Sequence, residues 1–244
     1  MYDYLLRFKN ILWVPLLGLA LLASSAMAVD DVGLFELEGN AVDDSTGTPN
    51  PPPDDWQTLF LGGGSAFVTT DPDGNVVVED PAPNSIFDGG KKDIQDVSQW
   101  SGGDGSVPDK NDITNAYAAA YKCPAGQEPE CTEGDLIVYF GADRVSNNGD
   151  AFLGFWFFKD AVTYDPETGD FSGTHKVGDT LVLVNFPQAT NAVPEIRVVS
   201  WDPTCSKAAN NDPQPGQCAA KNLYLEADGA VCGQAAGDDA CAIT

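Results

Sequence analysis

Gly134-Asp-Leu-Ile-Val-Tyr-Phe-Gly141 and Ala151-Phe-Leu-Gly-Phe-Trp-Phe-Phe158, joined by the polar stretch Asp143 to Asp150, decide the class of this chain. Each is an apolar run of strand length, rich in β-branched or aromatic residues and bounded by Gly, Asp and Asn. The second run places large rings at both parities: Phe152, Phe155, Trp156, Phe157 and Phe158. Such a run suits both faces of a buried central strand. The competing reading, in which Trp156 or Phe158 stacks on sugar rings from an exposed platform, is the weaker one.

Reading outward from this pair, more strands appear between turn residues. Asp165-Pro-Glu-Thr-Gly169 reads as a turn, Asp179 to Phe186 and Glu195 to Trp201 as strands, and Leu223 to Glu226 as a last short strand. Toward the N-terminus, Ala66 to Thr70 and Val76 to Val78 flank Asp71-Pro-Asp-Gly-Asn75, which predicts a hairpin. Gly33 to Glu38 is a short strand, and residues 49–56, with Pro51-Pro52-Pro53, form a Pro-rich loop. Residues 79–111 are irregular, with a short turn or strand in Lys92 to Trp100. The one helix is expected over Asp112 to Tyr121, with Asp109 as N-cap and Ala116, Ala118, Ala119 and Ala120 supplying propensity. Without any βαβ alternation, the pattern predicts a mainly β fold. It is an antiparallel β-sandwich or jelly-roll-like domain with one short helix and disulfide-closed loops.

The first 28 residues read as a signal peptide. Arg7 and Lys9 precede the apolar run Ile11 to Ala23, which is shorter than the roughly 20 residues of a membrane span. Ala26-Met27-Ala28 offers small residues where a signal peptidase cleaves, so the mature chain starts at Val29 and residues 29–244 form a single secreted domain. An uncleaved anchor is the competing reading. A cysteine near the cleavage site, as lipid anchoring requires, is absent, and the mature part carries no second apolar run of spanning length.

The six cysteines, Cys123, Cys131, Cys205, Cys218, Cys232 and Cys241, then read as disulfides. Six cysteines allow about fifteen pairings. Nearest-neighbour pairing is expected, because 123–131, 205–218 and 232–241 each close a short polar loop. Metal binding by these thiols is disfavoured, since no Cys-X-X-Cys is present and the single histidine, His175, is distant in sequence. The net charge of −25 repels nucleic acid and anionic lipid.

Quoted together, Phe35 to Asn40, Lys92 to Trp100, Gly105 to Ala118, Gly134 to Arg144, Asn148 to Phe158 and His175 to Leu183 resemble a family. It is the N-terminal region of a group of uncharacterised secreted bacterial proteins that often carry prealbumin-like or immunoglobulin-like modules downstream. The resemblance spans residues 35 to 244. It implies an extracellular or surface-attached β domain and transfers no catalytic residue. Such proteins tend to continue with more β structure beyond the Cys241 region, so the C-terminal sheet edge is where this chain, ending at Thr244, would be incomplete.

Three chemistries remain open to a chain of this kind. Calcium is the only cofactor the residues suggest, and none is required. Asp71-X-Asp73-Gly74-Asn75 is no EF-hand, because its twelfth position is Ala82. A site pooled from loops would draw on Asp93, Asp96, Asp109 and Asp112 with Asp143, Asn147, Asn148 and Asp150. An extracellular glycan or surface protein is the expected partner. Trp100, Arg144, Asn147 and Asn148 are the candidate glycan-binding patch; otherwise Arg144 pairs with a local Asp and Trp100 covers the edge of the core. For catalysis no residue is assigned. His175 lacks a Gly-X-Ser-X-Gly elbow and reads as a structural histidine bonded to backbone. Carboxylates are plentiful, but no spacing singles out a hydrolytic pair. The expected protein is an exported, non-enzymatic module with an adhesive or structural role. A Ca²⁺-dependent carbohydrate-binding module is the alternative, ahead of a glycan-active hydrolase. Its place is the extracellular space, the cell surface or the periplasm.

Overall fold

Backbone pairing in the computed structural model groups the strands into three antiparallel sheets. The structure describes residues 34–36, 53–66, 68–69, 77–80, 86–88, 90–125, 132–146, 148–188, 194–206 and 212–229. The signal peptide, the Asp71–Asn75 turn, Asn147, Cys131, Cys232 and Cys241 lie outside them. In chain order the elements are α1 (Trp56–Phe60), β1 (Val68–Thr69), β2 (Val77–Glu79), β3 (Ile86–Asp88), β4 (Ser101–Gly103), β5 (Ile113–Lys122) and β6 (Leu136–Arg144). They continue with β7 (Ala151–Phe157), β8 (Thr163–Asp165), β9 (Asp170–Ser172), β10 (Thr180–Phe186), β11 (Glu195–Trp201), β12 (Gln217–Ala220) and β13 (Leu223–Gly229). The fold is mainly β, as expected.

The alanine-rich segment is the largest departure from the sequence reading. Residues 113–122 are not a helix but the ten-residue strand β5, which pairs along its whole length with β6. Asp109 caps nothing: it opens a 3₁₀ turn, Asp109–Asn111, without a side-chain cap, and Asp112 is already extended. Helix propensity favours Ala by only a few tenths of a kcal/mol over most residues. Here it is outweighed by ladders on both edges and by period-two packing. Tyr117, Ala119 and Tyr121 share one face. Ala116, Ala118 and Ala120 share the other, where Ala118 stands opposite Phe140. Phe140 in turn meets Phe155 at 4.8 Å and Phe157 at 4.9 Å. The small side chains therefore sit beside the ring that bridges β6 to β7.

The predicted hairpin is also corrected. β1 and β2 do not pair with each other. Val68 and Thr69 face Ala120 and Ala119, while Val77, Val78 and Glu79 face Tyr117, Ala116 and Asn115. Since β6 occupies the other edge of β5, β1 and β2 run end to end along one edge, in the same direction. They share one edge of β5 and are separated in sequence by residues 70–76, which lie outside the described residues.

The short helix lies elsewhere. α1 begins at the end of the segment read as a Pro-rich loop, where the Asp55 carboxylate accepts from the Gln57 backbone N–H at 2.7 Å. Phe35 bridges to Asp54, and Phe35 and Leu59 close the face of β5 that carries Ala119 and Tyr121.

The second sheet runs β12-β13-β11-β10-β7. Its core is Leu181, Val199, Trp201, Leu223 and Leu225. β7 serves both faces, as its sequence demands: Phe155 and Phe157 turn to Phe140, and Trp156 packs on the core with Leu181 opposite. It is a terminal strand of this order rather than a central one, and Phe152 stands 74 % exposed. β12 had no sequence signal. Cys218, on β12, is bonded to Cys205 just after β11, as nearest-neighbour pairing predicted. Cys123 is disulfide-bonded too. No helix among the described residues is long and apolar enough to cross a membrane.

The third sheet, β3-β4-β9-β8, is small. Its β8–β9 hairpin turns at Asp165 to Gly169, as the sequence suggested. The Asp165 carboxylate accepts from the Glu167 N–H, and Gly169 has φ +76°. A Cβ at Gly169 would run into the Gly102 carbonyl oxygen, so this position requires glycine.

Candidate functional site

The second and third sheets meet at a turn, His175-Lys-Val-Gly-Asp179, that leads into β10. The turn is tied to the end of β11: Gly178 N–H donates to the Trp201 carbonyl at 2.8 Å, and Trp201 N–H donates to the Asp179 carbonyl at 2.7 Å. The Asp179 side chain, 1 % exposed, is the hub. One oxygen accepts from the Lys159 backbone N–H at 2.8 Å. The other accepts from the Lys176 backbone N–H at 2.9 Å and faces His175 Nδ1 at 3.1 Å.

This network assigns the tautomer. A carboxylate taking two backbone N–H donors is an acceptor, so the proton of the neutral imidazole belongs on Nδ1. Burial holds His175 below its ordinary 6.5, against the opposite pull of Asp179 and Asp96. The imidazole is therefore neutral at pH 7, with a bare lone pair on Nε2. That atom is buried and has no hydrogen-bond partner. Around it stand rings. Trp201 stacks on the imidazole at 4.2 Å and 19°, Trp156 lies at 4.3 Å, Phe158 at 5.4 Å and Trp100 at 5.5 Å.

A histidine held by a carboxylate is two thirds of a nucleophilic triad, but a general base must reach the proton it takes. The side chain of His175 is completely enclosed. The buried Ser200 donates instead to Glu226, at 2.5 Å. Glu226 is the extra residue of a β-bulge, with Val199 opposite Leu225 and Val198 opposite Ala227. What this geometry does is mechanical: it joins the Trp100 segment, β7, the 175–179 turn and β11. The backbone bond expected for His175 is corrected: its Nδ1 meets the Asp179 side chain instead.

The candidate ligand residues fall in several places. Trp100 is only 6 % exposed and its indole N–H donates to the Gln95 carbonyl at 3.2 Å, so it is a wall of the box rather than a platform. Arg144 reaches the Lys110 carbonyl at 3.1 Å, not an Asp. Asn148 is exposed, its N–H on Ser146 Oγ. Of the acids, Asp93 lies half-buried in a turn, and Asp96 forms a capping box with Gln99 on the 3₁₀ turn Val97–Gln99. The Asp109–Asp112 turn and the turn after β6 do come together: Val145 N–H donates to the Asp112 carbonyl and Ser146 N–H to that of Asp109. Asp112 is 4 % exposed. Asp143 accepts from the Tyr117 hydroxyl and from Asn115, and Asp150 from the Gln188 N–H at 2.7 Å. Among the described residues, no three His, Cys, Asp or Glu side chains are gathered to hold a metal ion.

Two features carried no clear sequence signal. On the third sheet, Phe87 stacks on Phe171 at 5.3 Å, and Tyr164 lies 4.8 Å from Phe171. Phe87 and Tyr164 are 55 % and 42 % exposed, but both rings pack against Phe171, Phe87 stacked and Tyr164 tilted. Beside α1, Asp54 is a second buried hub. One of its oxygens accepts from the Ser65 N–H at 2.6 Å, the Ser65 hydroxyl at 3.2 Å and the Tyr121 hydroxyl at 3.0 Å. Burial first, and then the Asp54 charge, push the Tyr121 phenol far above its ordinary 10.0. Gly64, with φ +80°, makes room: a Cβ there would lie 2.5 Å from Leu59 and 2.7 Å from the Asp54 carboxylate. The sequence clues were Asp54-Asp55 ahead of Trp56 and the glycine run 62–64.

No family model matches this chain, and neither a curated protein nor a solved structure is found to match it.

Proposed function

We propose that the chain is an exported, non-enzymatic β module of the bacterial surface or extracellular space, with a structural or adhesive role. The observation that carries this reading is the use made of its buried polar residues. His175 with Asp179 is the pairing most like catalytic machinery, yet it is sealed behind Trp100, Trp156, Phe158 and Trp201 and serves as a joint between elements. The signal-peptide reading, the Cys205–Cys218 bond, the acidic charge and the resemblance to secreted bacterial proteins support export. The test is fractionation of the producing cells with intact-mass analysis. A protein recovered from the envelope or the medium, starting at Val29 and without a free thiol, is the expected outcome. A reduced protein confined to the cytoplasm with its leader intact would overturn the reading.

A second reading is a Ca²⁺-supported carbohydrate-binding module. It is favoured by the meeting of the Asp109–Asp112 turn with the turn at Val145 and Ser146, which brings two of the candidate acidic loops side by side. Ligand that binds only the folded state raises the thermal midpoint. Equal midpoints in EDTA and in millimolar Ca²⁺, with an empty glycan array in both, would dismiss it.

A further inference from the structure

We propose that His175 is an acid-operated latch, whose protonation expels the imidazole from its aromatic box and releases the joint between the 175–179 turn, β7 and β11. The argument begins with Nε2. In the neutral ring it is a lone pair among aromatic carbons, a modest cost. Protonated, it becomes a second N–H donor that must find an acceptor, and the box supplies none beyond ring faces. Nδ1 already uses the Asp179 carboxylate, whose two oxygens also serve Lys159 and Lys176.

The charged groups facing the ring are few. From its own turn comes Asp179, and from the segment capping the Val97–Gln99 turn comes Asp96; both favour the cation. β7 and β11 present only the rings of Trp156 and Trp201, with Phe158 just after β7. The ammonium groups point away: Lys159 Nζ donates to the Val177 carbonyl at 3.0 Å, and Lys176 Nζ pairs with Asp160 at 3.5 Å. The enclosure of the side chain outweighs the two carboxylates, so the proton is accepted only as the ring reaches water. Leaving, it strips Trp201 of its stacked partner and opens Trp156, Phe158 and Trp100 to solvent. The exported protein would thus keep this surface closed at neutral pH and display it in acid.

His175 is the only histidine of the chain, which makes the test direct. The imidazole nitrogens of the full, oxidised chain are followed by ¹⁵N NMR from pH ~8 to ~4, with near-ultraviolet circular dichroism and binding of an apolar dye recorded in parallel. The expected result is an Nδ1–H tautomer at neutral pH, and protonation below 6.5 that coincides with loss of the aromatic signal and gain of dye. His175→Phe, which fills the box without a titrating group, is expected to keep its aromatic signal through the same range. The proposal is overturned by an Nε2–H tautomer, or by protonation with an unchanged aromatic signal. Persistence of the acid step in His175→Phe overturns it too. Should that variant fail to fold, coincidence or separation of the two wild-type curves decides the matter.

Discussion

Asp179 and Asp54 are both buried carboxylates that tie one segment to another, but they are fed by different donors. Asp179, beside β10, takes two backbone N–H groups and the imidazole of His175. Asp54, beside β5, takes one backbone N–H, the Ser65 hydroxyl and the phenol of Tyr121. The donors decide which conditions each region tolerates. The folded state disfavours protonation of His175, so the unfolded chain binds more protons below 6.5, and stability falls as pH drops from there toward the depressed native value. Tyr121 has the opposite sense. Its native pKa lies above the ordinary 10.0, so the unfolded chain loses its proton first and stability falls as pH rises past that value. Tyr117, also raised by burial and then by Asp143, adds to the alkaline loss. One region is the acid-labile part of the fold and the other the alkali-labile part.

Removing the hubs is the harshest way to break this comparison. Asp179→Ala leaves the N–H groups of Lys159 and Lys176 and the His175 Nδ1 proton without their acceptor, and should cost about 3–5 kcal/mol in urea unfolding at pH 7. The joint Cys205→Ser and Cys218→Ser change comes next. It frees a loop with a sequence separation of 13 and detaches β12 from the end of β11, for a loss of about 3 kcal/mol. Asp54→Ala, which deprives two hydroxyls and one N–H, should cost about 2 kcal/mol. If Asp54→Ala proves the more damaging of the two hub variants, backbone donors do not matter more than hydroxyls here, and the ranking argued from donor type fails.

The same two regions differ in how far their sequences announced them. β10 and β11 lie within a residue of their expected spans, because Val, Ile and Leu fill both between clear turns. β5 was hidden by its alanines. Their smallness is a tertiary requirement, imposed by Phe140 and the rings of β7, and local propensity reads it as helix. The β1–β2 edge reads as a hairpin for a related reason: a Pro/Asp/Gly stretch between β-branched runs signals a turn, not which strand the chain pairs with after it. His175 was visible as the single histidine, but its partner Asp179 looked like one turn aspartate among many. The box around it gathers residues from three separate segments, a juxtaposition no spacing encodes.

Tyr121→Phe is the gentlest probe and the sharpest. It removes one hydroxyl, leaves the ring packed on Phe35 and Tyr139, and leaves Asp54 its two Ser65 donors. The cost at pH 7 should be about 1 kcal/mol. The shape of the pH profile carries more information. Below pH 7 the variant should track the wild type, because the loss that begins below 6.5 belongs to His175 and Tyr121 takes no part in it. Above 10.0 its profile should flatten, retaining the part due to Tyr117. His175→Phe should give the mirror image, flat from neutrality down to the carboxylate range, where the hydrogen-bonded Asp202 takes over, and unchanged toward alkali. Stability measured for both variants across the full pH range, with the urea slope checked for constancy at each point, separates the two linkages. A Tyr121→Phe profile as steep as the wild type above 10.0 would mean that the phenol ionises without consequence for folding, and that Asp54 holds its region through Ser65 alone.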